Sequence, residues 1–345
     1  MAKLYILGAG GMGTAMAVAM ANVGHEVCLW GWSKEENDRI RQAREHVQLL
    51  KGVKIPEAVR IVDSVDGVEA AEAVLIATPT VGVRGAAKQL IGRIAPDVPV
   101  ACTSKGLEPG TLLPLHEVVT QELPKNAFVA LSGPSHAEEI SRGVPTVLVA
   151  ASKSLEAAQK IQDLTVQTHI RIYTSDDVVG VELGGALKNV IAFAAGIVDG
   201  MGGGDNTKAA LMTRGLTEIA RMGVKMGAKR ETFAGLSGVG DLIVTCCSMH
   251  SRNRRCGIYV GEGMTVREAV EKVGMTVEGI TAALCAYELS QKLNVDMPIT
   301  AQVYSLIKGR TTAKQALELL LDRPPKHEVD HNWLEEDPAE NAPLK

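Results

Sequence analysis

The sequence predicts an α/β protein, with a mostly parallel sheet covered by helices on both faces and an all-helical region after it. Three observations predict this. The apolar run Leu4-Tyr5-Ile6-Leu7 leads directly into the glycine-rich turn Gly8-Ala9-Gly10-Gly11-Met12-Gly13. Short β-favouring runs then alternate with helical stretches, the pattern of a parallel sheet. Near Asp176 the β-branched runs fade and long helical patterns take over.

Taken in order, strands are expected over 4–7, 26–30, 59–62, 74–77, 98–102, 128–131, 146–150 and 170–173, with helices over 14–23, 34–50, 83–94 and 155–164 between them. Helices are then expected over 178–198, 207–226, 266–273, 280–292, 299–307 and 312–321, the first two joined through the glycines of 200–204. The resulting organisation is a Rossmann-type dinucleotide-binding domain over 1–176, a separate helical domain over 177–323, and a polar, acidic tail over 324–345.

The glycine turn fits G-x-G-x-x-G, and each glycine has a physical task. Gly8 permits the tight turn, Gly10 lets a pyrophosphate approach the backbone, and Gly13 lets helix and strand pack closely. The free N–H groups at the helix start, with the helix dipole, then attract phosphates. Gly11 and Met12 complete the loop. Ligands of such sheets sit beyond the carboxyl ends of the strands, which draws attention to Thr78-Pro79-Thr80, Thr103-Ser104-Lys105-Gly106 and Ser132-Gly133-Pro134-Ser135.

Bulk properties narrow the function. The 345 residues are 46% hydrophobic and 22% charged, with a net charge of −4, and no basic excess supports a nucleic-acid role. The six cysteines form no C-x-x-C pair, so neither zinc nor a redox dithiol is suggested, and reduced cytoplasmic thiols with no metal are expected. The glycines after Lys3 break the apolar run that a secretory signal would need. No segment reaches the roughly 18 uninterrupted apolar residues of a membrane span.

Three further stretches carry chemistry. After the second strand, Trp32-Ser33-Lys34 offers no acid for a ribose 2′-hydroxyl, and Ser33 and Lys34 could instead accept a 2′-phosphate, which favours NADP. In Glu182–Ile191 a single lysine, Lys188, sits in apolar company, with Gly184 one turn before it leaving space over that face. Such a lysine either snorkels to solvent or is held in a pocket, where desolvation would make it an acid/base group. Ser251 is a plausible N-cap that puts Arg252 in a first helical turn, an arrangement suited either to phosphate or to a solvated basic helix. Asp241 lies just after Gly238-Val239-Gly240 and suits a turn or cap as well as a site.

Together these stretches resemble the NAD(P)-dependent sn-glycerol-3-phosphate dehydrogenases of the bacterial type, from Leu4 to about Leu321. The resemblance rests on Gly8–Ala15, Ser104–Glu108, Leu131–Ser135, Glu182–Val190, Gly238–Leu242, Ser251–Asn253 and Val277-Glu278-Gly279. It implies that Lys188 is the proton donor and acceptor at the substrate C2 oxygen, that Lys105 polarises that oxygen, and that Asp241 orients Lys188 or binds a substrate hydroxyl. It also implies that Gly133, Ser135, Asn189, Ser251, Arg252 and Asn253 line or hold the substrate, with Arg252 on its phosphate. Gly8, Gly10, Gly11, Met12, Gly13, Trp32, Ser33, Lys34, Lys105, Ala137, Arg252 and Glu278 would contact NAD or NADP. The family usually has Ser and an aromatic at positions 11 and 12, an arginine at or near Trp32, and Phe at His136, which reads as a tolerated neighbour change. The resemblance further implies interconversion of dihydroxyacetone phosphate and sn-glycerol 3-phosphate for phospholipid synthesis, by a cytoplasmic homodimer. The rival expectations are a related two-domain dehydrogenase of the 6-phosphogluconate or β-hydroxyacid type, and a dinucleotide sensor without turnover.

Overall fold

The computed structural model describes residues 1–325 and 327–328. Among these, one sheet contains β1 (Lys3–Leu7), β2 (Glu26–Trp30), β3 (Val59–Val62), β4 (Ala73–Ile76), β5 (Val100–Cys102), β6 (Phe128–Ser132), β7 (Thr146–Ala151) and β8 (Ile170–Ser175), in the order β3-β2-β1-β4-β5-β6-β7-β8. The expected parallel pairing holds from β3 to β6. Then β7 turns back antiparallel to β6, pairing Ser132 with Val149, and β8 runs parallel to β7. Residue chemistry marks each strand's place. Central β4 (AVLI) and β6 (FVALS) are buried throughout, as strands covered on both faces require. Edge strand β8 alternates, with Ile170 and Ile172 inward and Arg171 and Tyr173 outward.

The helices α1 (Gly11–Asn22), α2 (Lys34–Ala43), α3 (Val83–Lys88), α4 (Leu115–Glu122), α5 (Ala137–Ile140) and α6 (Leu155–Asp163) accompany the sheet. Three lengths differ from expectation. Helix α1 begins at Gly11 rather than residue 14, because the glycine turn itself forms the helix start, with Gly10 as its N-cap. Helix α2 stops at Ala43, where Arg44 adopts a left-handed conformation and its guanidinium donates to the Val59 carbonyl at 3.1 Å. Helix α3 ends at Lys88, and the chain leaves through turns with Gly92 at φ +70°.

Beyond β8 the elements are helical: α7 (Val178–Gly200), α8 (Gly204–Lys225), α9 (Arg230–Ala234), α10 (Asp241–Cys247), α11 (Arg252–Gly261), α12 (Val266–Val273), α13 (Glu278–Leu293), α14 (Pro298–Ile307) and α15 (Ala313–Leu321). Of the expected polar tail, only residues 324, 325, 327 and 328 are among those described. Helix α7 is the axis of this half. Asp177 caps it, accepting from Gly180 N at 2.9 Å, and also accepts from Lys229 N and from the Thr232 hydroxyl. Its glycines let α11 cross at backbone distance: a Cβ on Gly196 would lie 2.0 Å from the Arg254 carbonyl oxygen, and one on Gly257 2.1 Å from that of Phe193. By length and composition α7 could span a membrane, but its apolar stretch is buried inside the protein.

Candidate active site

The cleft forms where strand order reverses, between the carboxyl ends of β1 and β4. Gly8 has φ +123°, and a Cβ there would meet the Ala77 carbonyl group at 2.6 Å. A Cβ on Gly13 would lie 1.8 Å from the Gly8 oxygen, so helix and strand touch backbone to backbone. A Cβ on Gly10 would meet nothing within 4 Å. Gly10 therefore leaves open space at a helix start, where Gly11 and Met12 also line the cleft, and this cradle fits the pyrophosphate of a dinucleotide. Ala137 stands opposite, 3.7 Å from where a Gly11 Cβ would be.

Immediately after β2, the position of Gly31 is closed to an acid. Any side chain at Gly31 would meet Asn37 Oδ1 at 2.0 Å, and Asn37 is held by its amide, which donates to Gly31 O, Val62 O and Asp63 Oδ1. Trp32 is 77% exposed, edge-on to Trp30 at 5.7 Å between ring centroids. Ser33 caps α2 by accepting from Glu36 N, and Lys34 stands exposed beside it. These three side chains stand at the outer end of β2 rather than in the wall of the main cleft.

That cleft encloses about 390 Å³ and runs from the glycine turn to two lysines. Lys105, in the turn after β5, donates to Asp241 Oδ2 at 2.8 Å, to the Gly133 carbonyl at 3.0 Å and to Ser135 Oγ at 3.2 Å. Lys188, from the middle of α7, donates to Asp241 Oδ1 and to Thr245 Oγ1, the latter at 2.8 Å. The Thr245 hydroxyl in turn donates to the Asp241 carbonyl at 2.6 Å, one helical turn back. One fully buried carboxylate thus bridges two ammonium groups. A single π-turn, Leu236–Gly240, delivers Asp241 into this position, packed so tightly that a Cβ on Gly184 would lie 2.4 Å from the Ser237 oxygen. The space expected over Gly184 is therefore filled by this turn.

Electrostatics follow from burial. Desolvation brings the Lys188 ammonium down to about 7; Asp241 opposes that shift and the Lys105 charge adds to it. Burial pushes Asp241 up, yet the Lys105 and Lys188 charges prevail and hold it below the usual carboxylate range. Lys188 is pocketed, 6% exposed, and does not snorkel.

At the other end of the cleft, Ser251 caps α11 by accepting from Arg254 N at 3.2 Å, and Arg252 occupies the first turn, facing the cleft. Burial lowers the Arg252 guanidinium from its usual range, against the opposing charges of Glu278 and Glu138. It forms no hydrogen bond or ion pair among the described residues. Asn253 spends both ends of its amide on the protein: it donates to Asn189 Oδ1 at 2.9 Å and accepts from Gly279 N at 2.9 Å. Asn189 donates to the Gly185 carbonyl. Glu278 lines the cleft and accepts from Thr80 N at 3.3 Å, joining the helical half to the sheet half. Gly133 serves through its carbonyl, which orients Lys105. Sequence reasoning missed Thr245, although its place four residues after Asp241 puts it on the same helical face. It also missed His250 and Met275, which line the cleft without a sequence signal.

A glycine-turn sheet joined to a helical half that supplies a buried lysine to the same cleft defines a dinucleotide-dependent dehydrogenase. The comparisons make the family specific. Residues 3–158 match the N-terminal model of NAD-dependent glycerol-3-phosphate dehydrogenase, and residues 177–318 match its C-terminal model. The glycerol-3-phosphate dehydrogenase [NAD(P)+] of Clostridium perfringens is 50% identical over 95% of this chain and 99% of its own length. That of Desulfitobacterium hafniense is 47% identical over 96% of this chain and 94% of its own. The crystal structure of the Coxiella burnetii glycerol-3-phosphate dehydrogenase superposes with a TM-score of 0.90 at 35% identity, over 93% of this chain and 99% of that one. The chain belongs to the NAD(P)-dependent glycerol-3-phosphate dehydrogenase family.

Proposed function

We propose that this enzyme interconverts dihydroxyacetone phosphate and sn-glycerol 3-phosphate, and that the Lys105–Asp241–Lys188 cluster at the inner end of the cleft carries the chemistry. When bound, the nicotinamide cofactor supplies or accepts the hydride at the substrate C2. As C2 is reduced, negative charge grows on its oxygen. Lys188, with a pKa of about 7, is suited to deliver a proton there and to take it back in the reverse direction. Lys105, held by Asp241, the Gly133 carbonyl and Ser135, brings a second positive charge to the same oxygen. Asp241 fixes both ammonium groups and offsets their mutual repulsion. Arg252, at the start of α11, holds the substrate phosphate, while Ser251 and Asn253 set the position of that helix start.

Gly10, Gly11, Met12, Ala137 and Glu278 face the dinucleotide in this reading. Trp32, Ser33 and Lys34 sit at its adenosine end, where the lack of an acid before Glu35 favours NADP over NAD. The substrate lies between a sheet domain ending near Asp176 and a helical domain beginning at Asp177, the residue that caps α7. We place the enzyme in the cytoplasm as a homodimer that supplies glycerol phosphate for phospholipid synthesis, as the family resemblance implies. The test is the fall in absorbance of NADPH, then of NADH, when dihydroxyacetone phosphate is added. Substrate-dependent oxidation supports the reading, and the ratio of the two rates gives the preference. No oxidation with either, despite binding, contradicts it.

A further inference from the structure

The cleft that holds Lys188 and Arg252 is also lined by a group that the proposed reaction leaves unused. His136, the residue before α5, lines the cleft, and its Nε2 is buried without a hydrogen-bond partner among the described residues. Its ring centroid lies 5.6 Å from that of His250, which lines the same cleft two residues before Arg252. Two charges locate it further. His136 feels Lys188, at the reacting end, and Glu138, which also faces Arg252. The imidazole thus lines the same cleft as the lysine assigned to the C2 oxygen and the arginine assigned to the phosphate, beside the His250 that precedes α11.

The groups that face His136 are Lys188 on α7, Glu138 and Glu139 on α5, and His250 before α11. Burial first, then the Lys188 charge, keep the ring below its usual range, so at neutral pH it is uncharged with one N–H to donate. A buried polar atom without a partner costs stability, and a ligand that completes its hydrogen bond removes the cost.

We propose that His136, its ring braced by His250, donates a hydrogen bond to the substrate phosphate and so completes the recognition site that Arg252 begins. The proposal rests on the reaction proposed above. Arg252 supplies the charge, and His136 supplies a directional donor in the same cleft as Lys188. A three-carbon substrate with its phosphate on a terminal carbon is then registered with C2 at the lysine.

Steady-state kinetics of His136→Phe and His136→Gln test it. Phe keeps a ring and removes the donor; Gln restores a donor at nearly the same reach. With His136→Phe, KM for dihydroxyacetone phosphate should rise about tenfold to a hundredfold, the loss expected for one hydrogen bond to a charged group. The kcat and the KM for NADPH should change less than about twofold, because the contact is uniform binding. Inorganic phosphate, as a competitive inhibitor against the substrate, should weaken in parallel, and His136→Gln should recover most of both losses. An unchanged substrate KM in His136→Phe overturns the proposal while the proposed reaction stands. So does a raised KM with unchanged inhibition by phosphate, which would place the contact elsewhere on the substrate. A wild-type enzyme that turns over no dihydroxyacetone phosphate overturns the proposed function, and this proposal with it.

Discussion

Lys188 shows what sequence spacing leaves open at the scale of one residue. In the sequence it is a lysine among apolar neighbours, whose spacing alone favours snorkelling over a pocket. Two groups beyond its own helix decide the matter. Asp241, 53 residues later, meets its ammonium, and the same carboxylate reaches Lys105, 136 residues earlier. No local pattern encodes a carboxylate shared across such separations; only the folded chain brings the three together. The lowered pKa of Lys188 has a kinetic consequence with a definite sign. With Lys188 as the proposed proton carrier, reduction needs the protonated amine and oxidation the neutral one. The kcat for dihydroxyacetone phosphate reduction should therefore fall as pH rises through about 7, and that for glycerol 3-phosphate oxidation should rise across the same interval. Both limbs are read from initial rates at saturating substrate.

The elements were largely legible, and their ends less so. Helix α12 (Val266–Val273) matches its expected range because Thr265 and Glu268 form a reciprocal capping box that the sequence displays. Helix α2 falls short because Arg44 turns left-handed, an event no periodicity announces. The glycines before Asp241 announced a turn but not its form: Leu236–Gly240 is a glycine-bearing π-turn, not a regular element. Close crossing of α7 and α11 should be intolerant of side chains. Gly257→Ala would place a methyl 2.1 Å from the Phe193 oxygen, and should lower unfolding stability by about 1–3 kcal/mol in a denaturant titration. Glu218 ties α8 to α14, accepting from Ile299 N at 2.5 Å and Thr300 N at 3.1 Å. Burial raises it to about 7 despite those donors. Its folded pKa thus exceeds the unfolded value, so its contribution is greatest below about 4.5 and is lost as pH rises towards 7. The wild-type Tm should therefore fall relative to that of Glu218→Gln between pH 5 and 8, a range chosen to span the shift; parallel curves would remove Glu218 as the titrating group.

Across the whole molecule, the alternating strands and the glycine turn foretold a sheet half, and the change of pattern near Asp176 foretold a helical half. The reversal of β7 and β8 was not foretold, since a buried apolar strand reads the same in either direction. The site belongs to neither half alone. The sheet supplies Gly10 and Lys105, the helices supply Lys188, Asp241 and Arg252, and the hydrogen bond from Thr80 N to Glu278 joins the two sides over the cleft. The central claim is that a lysine buried on α7 moves the proton while the glycine turn holds the dinucleotide. The most direct test compares wild type with Lys188→Ala in two readouts on the same protein: NADPH affinity by fluorescence titration, and NADPH oxidation on addition of dihydroxyacetone phosphate. The account predicts unchanged affinity, with oxidation in the wild type and essentially none in the variant. Near-normal turnover by Lys188→Ala would contradict it.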